Sequence, residues 1–318
     1  MKTIDVAVLL GGFSSERDVS LRTGEAVARG LAARGHRVTK VDVRTDYGVE
    51  LNSVKCDVAF LALHGRFGED GGIQRILDAR NVPYTGSDAE SSRLAMDKIE
   101  SKRLFRRAGL DTPQHRVIGS GDSVELLEQS ARSLGYPVVI KPRAEGSSLG
   151  VTVHQDRATI LDGAIEAFQF GSIALMEKFV AGREMTVGIL DGRALPMIEL
   201  KPRRAFFDYV AKYQDPETLY LVDPPLSDLD KRRIQKAALE AFDALGCEGM
   251  GRVDLIFTAL HEIQVLEVNT IPGLTERSLL PKAARAAGID FATLCDRILQ
   301  TAFKRRRAFP GWAAAAML

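Results

Sequence analysis

The chain has 318 residues, a length that suggests more than one domain. Its 45% hydrophobic residues and formal net charge of +1 are typical of a globular protein. A charge this close to zero gives no field strong enough to hold nucleic acid, so we expect a small-molecule substrate. The three cysteines occur in no CxxC spacing, which argues against a zinc site or disulfide framework, and no apolar run can span a bilayer. We therefore expect a cytoplasmic protein with no membrane contact.

Strands and helices alternate in the first third of the chain, which predicts a parallel sheet. In such a sheet ligands bind beyond the carboxyl ends of the strands. Loops Gly11–Arg17 and His64–Arg66 follow two of the strands, so we expect them to converge on one edge. The predicted elements are strands at Ile4–Leu10, His36–Val43 and Asp57–Leu63 and a helix at Ser20–Ala33.

A helix is expected from about Ser92 to Ala108, and beyond Tyr136 the pattern predicts an α+β lobe. Segment Phe206–Pro225, rich in tyrosine and proline, is predicted to be a long, partly ordered functional loop. The basic tail 304–318 is predicted to fray, with anion binding as the alternative. Further strands are expected at Pro137–Lys141, Gly150–His154, Ile173–Val180, Glu184–Leu190, Arg252–Phe257 and Ile263–Val268, and helices at Val124–Leu134, Thr159–Phe168, Asp228–Leu245 and Phe291–Ala302.

A glycine and serine loop, Glu145-Gly146-Ser147-Ser148, follows the predicted buried strand that ends in Lys141. Such a loop can bend over phosphates and present backbone N–H groups to them. It is not a P-loop, because the lysine precedes the glycines and the loop returns into a strand. An ordinary hairpin is the alternative.

Three oxygen ligands of the kind that magnesium prefers occur near the end of the chain, at Asp254, Glu267 and Asn269. If the two strands form a hairpin that turns at Leu260-His261, Asp254 and Glu267 face each other with β-carbons about 4.5–5.5 Å apart. Asn269 lies two residues after Glu267 and therefore on the same face. The spacing predicts a divalent cation bridging these groups to phosphate oxygens, with a solvated acidic hairpin as the alternative.

Arg252 precedes Asp254 by two residues and shares its strand face, and the turn Pro272–Thr275 follows the second strand of the hairpin. An arginine and a backbone N–H so placed can stabilise an oxyanion beside the metal. A surface salt bridge is the alternative for Arg252. Three more charged residues are candidates for the site, each with a solvated surface role as its alternative: Glu16, Lys98 and Lys212.

From Ala7 to about Ile298 the chain resembles D-alanine:D-alanine ligases of the ATP-grasp superfamily, on motifs that agree jointly in order and spacing. Those motifs are Leu9–Gly12, Ser15–Ser20, Ala62–Gly65, Gly68–Gly71, Pro83–Ser87, Met96–Lys98, Lys141-Pro142 with Glu145–Ser148, Ala211–Tyr213, Gly251–Asp254, Glu267–Thr270 and Pro272–Thr275. The resemblance implies an α/β and α+β fold class, in which an N-terminal parallel-sheet (pre-ATP-grasp) domain precedes a two-lobed ATP-grasp module. The expected boundaries are a Rossmann-like substrate domain at 1–95, a central lobe at 96–182, a C-terminal lobe at 183–303 and a tail at 304–318.

The resemblance also implies ATP as a substrate, two Mg²⁺ ions that Mn²⁺ can replace, and a homodimer. The implied metal ligands are Asp254, Glu267 and Asn269. The implied nucleotide contacts are Lys98, Lys141, Glu177, Lys178, Phe179, Val180, Glu184 and Lys212.

By the same resemblance, ATP phosphorylates the carboxylate of one D-alanine, and the amine of a second D-alanine attacks the acylphosphate, for peptidoglycan precursor synthesis. Glu16 would hold the first ammonium and reach Tyr213 through Ser147, so that the loop with Tyr213 closes over the site. The other implied contacts are Arg252 and the N–H of Gly273 at the oxyanion, Ser278 and Leu279 at the second carboxylate, and His64 at the substrate.

Val210 and Ile271 depart from the family pattern, at positions where glutamate and serine are common. Tyr213 favours D-alanine as the second substrate, because ligases that form a D-lactate ester usually lack it. A ligase for D-serine or D-lactate is the nearest alternative. A nucleotide-binding module without turnover is another, and a Rossmann dehydrogenase is disfavoured since no G-x-G-x-x-G follows the first strand.

Overall fold

The computed structural model describes residues 3–46, 48–201 and 219–304. Its N-terminal part is a three-stranded sheet in which β1 (Asp5–Gly11) lies between β2 (Arg37–Val43) and β3 (Val58–Leu61). Both pairings are parallel, as the alternating pattern predicts. Helix α1 (Arg17–Ala33) covers β1 closely, because a β-carbon at Gly24 would lie 2.4 Å from Leu10 Cβ.

The two loops beyond the carboxyl ends of β1 and β3 meet, as expected for a parallel sheet. The Ser14 hydroxyl donates a hydrogen bond of 2.7 Å to the carbonyl oxygen of His64. The Gly65 N–H in turn donates to the Glu69 carboxylate at 2.8 Å. The predicted convergence of these loops on one sheet edge is therefore confirmed.

The single helix predicted from Ser92 to Ala108 is wrong, because two helices meet at Asp97. Helix α2 spans Gly72–Ala79, α3 spans Ala89–Met96 and α4 spans Lys98–Arg107. Asp97 has an extended backbone with ψ of 100°, and its carboxylate accepts the N–H groups of Ile99 and Glu100 at the start of α4. A side chain that caps a helix in this way satisfies N–H groups that a continuous helix would pair internally.

The central part is a four-stranded antiparallel sheet with two helices on one face. Its strand order is β4 (His115–Gly119), β7 (Ile173–Lys178), β5 (Val138–Pro142) and β6 (Thr152–His154), with helices α5 (Val124–Leu134) and α6 (Ile160–Phe168). Alternate strand residues such as Val138, Ile140 and Met176 pack under the helices and are fully buried. The intervening residues face the opposite side, which is free to line a site.

Gly163 of α6 is required by close packing against a buried histidine. A β-carbon at this position would lie 2.0 Å from Nε2 of His154, whose ring nitrogens contact the hydroxyls of Thr152 and Thr159. We expect Gly163→Ala to lower the free energy of unfolding by about 1–3 kcal/mol, the usual cost of overpacking. Denaturant unfolding measures this, with Gly121→Ala as the control because a β-carbon at Gly121 would meet nothing within 4 Å. Equal stability of both variants would contradict the prediction.

The third sheet contains the predicted hairpin. Its main order is β11 (Leu219–Val222), β10 (Ile198–Lys201), β8 (Arg183–Leu190), β12 (Met250–Phe257) and β13 (Ile263–Asn269), and the short strand β9 (Arg193–Ala194) pairs with β8. Helix α7 (Asp228–Ala244) packs against β12 and β13. Strand β11 lies within Phe206–Pro225, so the segment predicted to be a partly ordered loop contains a strand at 219–222, whereas 206–218 lie outside the described residues.

Two helices complete the described chain, α8 (Leu279–Ala286) and α9 (Phe291–Lys304). Helix α9 packs against α1, where a β-carbon at Gly30 would lie 3.1 Å from the sulfur of Cys295. Nε2 of His36 lies 3.0 Å from a carboxylate oxygen of Asp296. The buried side chains of α9 thus belong to the same core as β1 and β3. Within the described ranges, no helix combines the length and apolarity of a membrane span.

Candidate active site

A cavity of about 500 Å³ separates the central sheet from the third sheet. Strands β5 and β7 supply residues on one side, and β8, β10, β12 and β13 supply residues on the other. Every described residue that was predicted to contact the nucleotide lines it: Lys98, Lys141, Glu177, Lys178, Phe179, Val180 and Glu184. Lys212 lies outside the described residues. Asp254 and Glu267 also line the cavity, which places acidic and basic groups around one space.

The predicted pairing of Asp254 with Glu267 across β12 and β13 is confirmed, although the residues nearer the turn pair one position out of the predicted register. Arg252 pairs with Asn269 further along the same strands. The register then shifts between Asp254 and Leu255, where a bulge begins. The hairpin therefore holds two carboxylates side by side at the cavity wall.

Basic side chains contact both of these carboxylates. The Arg252 guanidinium donates to the two oxygens of Asp254 at 2.9 and 2.8 Å, and Thr186 donates a third hydrogen bond at 2.6 Å. Lys98 Nζ lies 3.4 Å from an oxygen of Glu267. The Asp254 side chain is only 9% exposed and that of Arg252 14%, so a solvated role for Asp254 and a surface salt bridge do not hold, whereas the Glu267 side chain is 31% exposed.

The donor set fits a magnesium ion, which usually takes one or two carboxylates together with substrate phosphate oxygens. Asp254 and Glu267 both line the cavity, whereas Asn269 does not and its Oδ1 accepts the N–H of Ile271 at 3.2 Å. No cluster of three or more His, Cys, Asp or Glu residues suited to a metal occurs in the part of the chain that the structure describes. A metal here would thus depend on the carboxylate pair and on oxygens from the ligand.

Lys98 links the acidic hairpin to the glycine and serine loop. Its ammonium donates to the carbonyl oxygen of Glu145 at 2.6 Å while it also contacts Glu267. The lysine side chain is 8% exposed, so a solvated surface role is excluded. Asp97, the residue before it, binds Arg143 at 2.6 Å and ties the start of α4 to the end of β5.

Glu16 lies where the glycine and serine loop meets the edge of the parallel sheet. The Ser147 hydroxyl donates a short hydrogen bond to its carboxylate. β-carbons at Gly65 and Gly146 would lie 2.8 and 3.0 Å from a Glu16 oxygen, so both glycines are needed for the close approach. Ser147 has a φ of 52°, and strained backbone of this kind is common at functional sites. Glu16 is buried, which excludes a solvated role for this residue too.

His64 is held behind this pocket. Its Nε2 lies 2.9 Å from the hydroxyl of Thr23, and its Nδ1 lies 3.8 Å from the carboxylate of Glu69. The structure therefore brings His64 to the same sheet edge as Glu16, where the Ser14 hydroxyl of one loop donates to the His64 carbonyl oxygen of the other. Tyr213, the expected partner of Ser147, lies outside the described residues, as does Val210.

The residues predicted to receive the second amino acid lie at the N-terminus of α8. Ser278 is the N-cap residue of α8, but its side chain makes no hydrogen bond to the first turn of the helix. Its hydroxyl instead accepts a hydrogen bond from the Thr275 N–H at 3.1 Å. A β-carbon at Gly273 would lie 3.1 Å from the Ser278 hydroxyl, so the turn folds back onto the helix start. Leu279 follows as the first residue of α8. Helix N-termini attract carboxylates, which suits the predicted role.

Helix α8 and Arg252 lie on the same face of the third sheet. A β-carbon at Gly188 would lie 2.7 Å from Leu280 of α8, and Gly188 pairs directly with Arg252. Directly paired residues on neighbouring strands project from one face. Arg252 thus projects from the sheet face on which α8 packs.

Two groups near the cavity were not anticipated from the sequence. Lys102 of α4 is fully buried and lies 2.9 Å from Glu177. Its spacing of four residues from Lys98 puts both lysines on one helix face, which was the available signal. Glu145 also lines the cavity, and burial raises the pKa of its carboxyl, with Lys98 opposing the effect.

Comparison with known proteins matches this arrangement of elements. Residues 45–87 match the family model described as D-ala D-ala ligase N-terminus, and residues 104–300 match D-ala D-ala ligase C-terminus. The D-alanine--D-alanine ligase of Syntrophotalea carbinolica is 44% identical over 301 residues, covering 95% of this chain and 97% of the relative. That of Methylacidiphilum infernorum is 42% identical over 304 residues, with coverages of 95% and 97%.

Solved structures show the same fold. A crystal structure of D-alanine--D-alanine ligase from Bacillus anthracis complexed with ATP has a TM-score of 0.84 at 33% identity, covering 95% of this chain and 98% of that one. The VanG D-Ala:D-Ser ligase of Enterococcus faecalis also has a TM-score of 0.84, at 26% identity, with coverages of 95% and 100%. With its acidic hairpin, its nucleotide-sized cavity and relatives that match along almost its whole length, the chain belongs to the D-alanine--D-alanine ligase family.

Proposed function

We propose that this protein joins two molecules of D-alanine into D-alanyl-D-alanine, with ATP converted to ADP and phosphate. The observation that carries the proposal is the cavity itself, which Lys98, Lys141 and the paired carboxylates of Asp254 and Glu267 line. A relative of the same fold has been crystallised in complex with ATP. The reaction forms a carbon–nitrogen bond, and the product serves peptidoglycan precursor synthesis in the cytoplasm.

In this proposal the nucleotide lies in the cavity between the two antiparallel sheets. Phe179, Val180 and Glu184 would contact the base and ribose. Lys98 and Lys141 would contact the phosphates. Asp254 and Glu267 would hold two Mg²⁺ ions, for which Mn²⁺ can substitute, and Asn269 belongs to this ligand set on family resemblance alone. A bound divalent cation neutralises the charge that develops on phosphate oxygens during phosphoryl transfer.

The amino-acid pocket would lie next to the phosphates, because the loop Glu145–Ser148 borders both. Glu16 would hold the ammonium of the first D-alanine, and His64 would support the loop around it. The carboxylate of this D-alanine takes the γ-phosphoryl group and becomes an acylphosphate. Lys212 and Tyr213 belong to the proposal on the strength of family resemblance alone.

The second D-alanine would bind with its carboxylate at Ser278 and Leu279, at the positive end of α8. Its amine then attacks the acylphosphate, and the Arg252 guanidinium and the Gly273 N–H would stabilise the oxyanion that forms. Family resemblance supports a homodimer. It also supports functional units at 1–95, 96–182 and 183–303. Helix α9 of the third unit nevertheless packs against α1 of the first.

The rival acceptor is D-serine, favoured by the similarity to the VanG ligase. Phosphate release should be measured with D-alanine alone and with D-alanine mixed with D-serine or D-lactate, using L-alanine as a negative control. We expect full turnover with D-alanine alone and a single dipeptide product by mass spectrometry. If D-alanine alone gives no turnover but one of the mixtures does, the proposed pair of substrates is wrong and the second amino acid of that mixture is the acceptor.

A further inference from the structure

Lys102 is a charged side chain with no exposed surface, located in the middle of α4. Its ammonium lies 2.9 Å from Oε1 of Glu177 and donates to the hydroxyl of Thr112 at 2.7 Å. Lys141 lies 2.8 Å from Oε2, the other oxygen of Glu177. We call Lys102, Glu177 and Lys141 the buried triad. A single carboxylate is thus shared between two ammonium groups.

The members of the buried triad differ in their access to the nucleotide cavity. Glu177 and Lys141 line it, whereas Lys102 lies behind them and contacts no part of it. Glu177 pairs with Val139 on β5, and Lys141 pairs with Leu175 on β7, so both project from the cavity face of the central sheet. Any influence of Lys102 on a ligand must therefore pass through its two partners.

The charges of the buried triad do not cancel. Burial acts to raise the pKa of Glu177, but Lys102 and Lys141 outweigh it and bring that pKa below its usual value. The carboxylate is therefore ionised, and two ammonium groups around it leave one net positive charge. With Lys102 uncharged, Glu177 would neutralise Lys141 alone, and that excess charge would be lost from the cavity wall.

We propose that Lys102 is a positioning residue of the nucleotide site, which engages one oxygen of Glu177 and so leaves Lys141 with positive charge for the phosphates of ATP. The inference rests on the proposed function in one respect, namely that the cavity binds a nucleoside triphosphate. It adds a residue that touches no ligand. Removal of its charge should weaken binding of ATP far more than binding of adenosine, because only ATP carries phosphate charge.

The charge of Lys102 is sensitive to pH in a range that can be measured. Burial lowers its pKa to about 8, with Glu177 acting against this and Lys141 and Arg106 adding to it. His115 on β4 is the other titratable group that faces it, and burial and Lys102 both lower the His115 pKa, so this ring is neutral above pH 7. As pH rises through about 8, Lys102 loses its proton and the net charge of the triad falls to zero. ATP affinity should fall in the same range.

Titration calorimetry of wild type and Lys102→Met with Mg-ATP and with adenosine tests the proposal. We expect the variant to bind ATP about tenfold more weakly at pH 7, the scale of one lost charge at an intermediate dielectric, with adenosine affinity changed less than about threefold. Wild type should take up a proton when it binds ATP near pH 8, because the negative charge of ATP raises the pKa of Lys102. Lys102→Met should take up no such proton. Lys236→Met, on the exposed face of α7, is the control.

The outcomes separate the two proposals. If wild type neither binds ATP nor turns over D-alanine, the proposed function fails. If wild type binds ATP without proton uptake near pH 8, or Lys102→Met binds ATP as wild type does, the role of Lys102 is overturned while the function stands. Should the variant fail to fold in a thermal melt, the proton uptake of wild type alone decides, since it requires no substitution.

Discussion

Replacing Asp254 by asparagine is expected to lower the rate of D-alanyl-D-alanine formation by about a thousandfold, the scale of a lost metal contact at a phosphoryl group. Asparagine keeps the size of the side chain and can still accept the hydrogen bond from Thr186. It removes the charge that, with that of Glu267, would attract the proposed cation to the hairpin. Coupled assay of ADP release, with saturating D-alanine and magnesium, measures the effect.

The role of the metal can be distinguished from a general loss of structure. Asp254→Asn should bind ATP in EDTA as wild type does, while the gain in affinity on adding magnesium should largely disappear. Asp223→Asn is the matched control, because this aspartate follows β11 in the same sheet, is 60% exposed and pairs only with Lys231 among described residues. Magnesium-dependent activity within about threefold of wild type in Asp254→Asn would refute the metal assignment.

Replacing Glu16 by glutamine is expected to raise the KM for the first D-alanine by about a hundredfold, since a hydrogen bond to a charged group is worth about 1.5–3 kcal/mol. Glutamine can still accept the hydrogen bond from Ser147 and leave the loop in place. It cannot attract the ammonium group of the substrate by charge. Steady-state kinetics over a wide range of D-alanine concentrations, with ATP saturating, provide the measurement.

Glu25→Gln is the control for this effect, because Glu25 lies on α1, the helix that Glu16 precedes, its side chain is 47% exposed, and it pairs with Lys40 at 2.7 Å. ATP affinity should change by less than about twofold in both variants, since Glu16 does not line the nucleotide cavity. A KM for D-alanine in Glu16→Gln that stays within about threefold of wild type would remove Glu16 from the amino-acid pocket.

The sequence predicts those parts of the fold and site that depend on local spacing. Alternating apolar segments are enough to predict the parallel sheet and to bring the loops of Gly11 and His64 together. The pairing of Asp254 with Glu267 agrees with symmetry about Leu260 and His261, but the strands next to the turn pair one residue out of that register, and the bulge after Asp254 restores it. In both cases the information lies in short stretches of chain that fold against each other.

The features that the sequence does not predict depend on contacts between distant segments. The break between α3 and α4 arises because Asp97 caps one helix and binds Arg143, which is far away in the chain. The edge strands β4 and β11 are short and carry exposed apolar residues such as Val117 and Leu219, so no clear alternation marks them. Lys102 has the sequence character of a solvated helix residue, and its burial is explained by Glu177 and Thr112, which lie in other segments of the chain.

The packing of α9 on α1 has a consequence for biosynthesis. Leu294, Ile298 and Leu299 complete the apolar core around the first sheet, although they follow β1, α1 and β3 much later in the chain. Domains generally begin to fold from the N-terminus during synthesis. Here the core that β1, α1 and β3 share stays open on one side until α9 has also been synthesised. Folding of the first sheet therefore cannot be completed while only the N-terminal segments have been made.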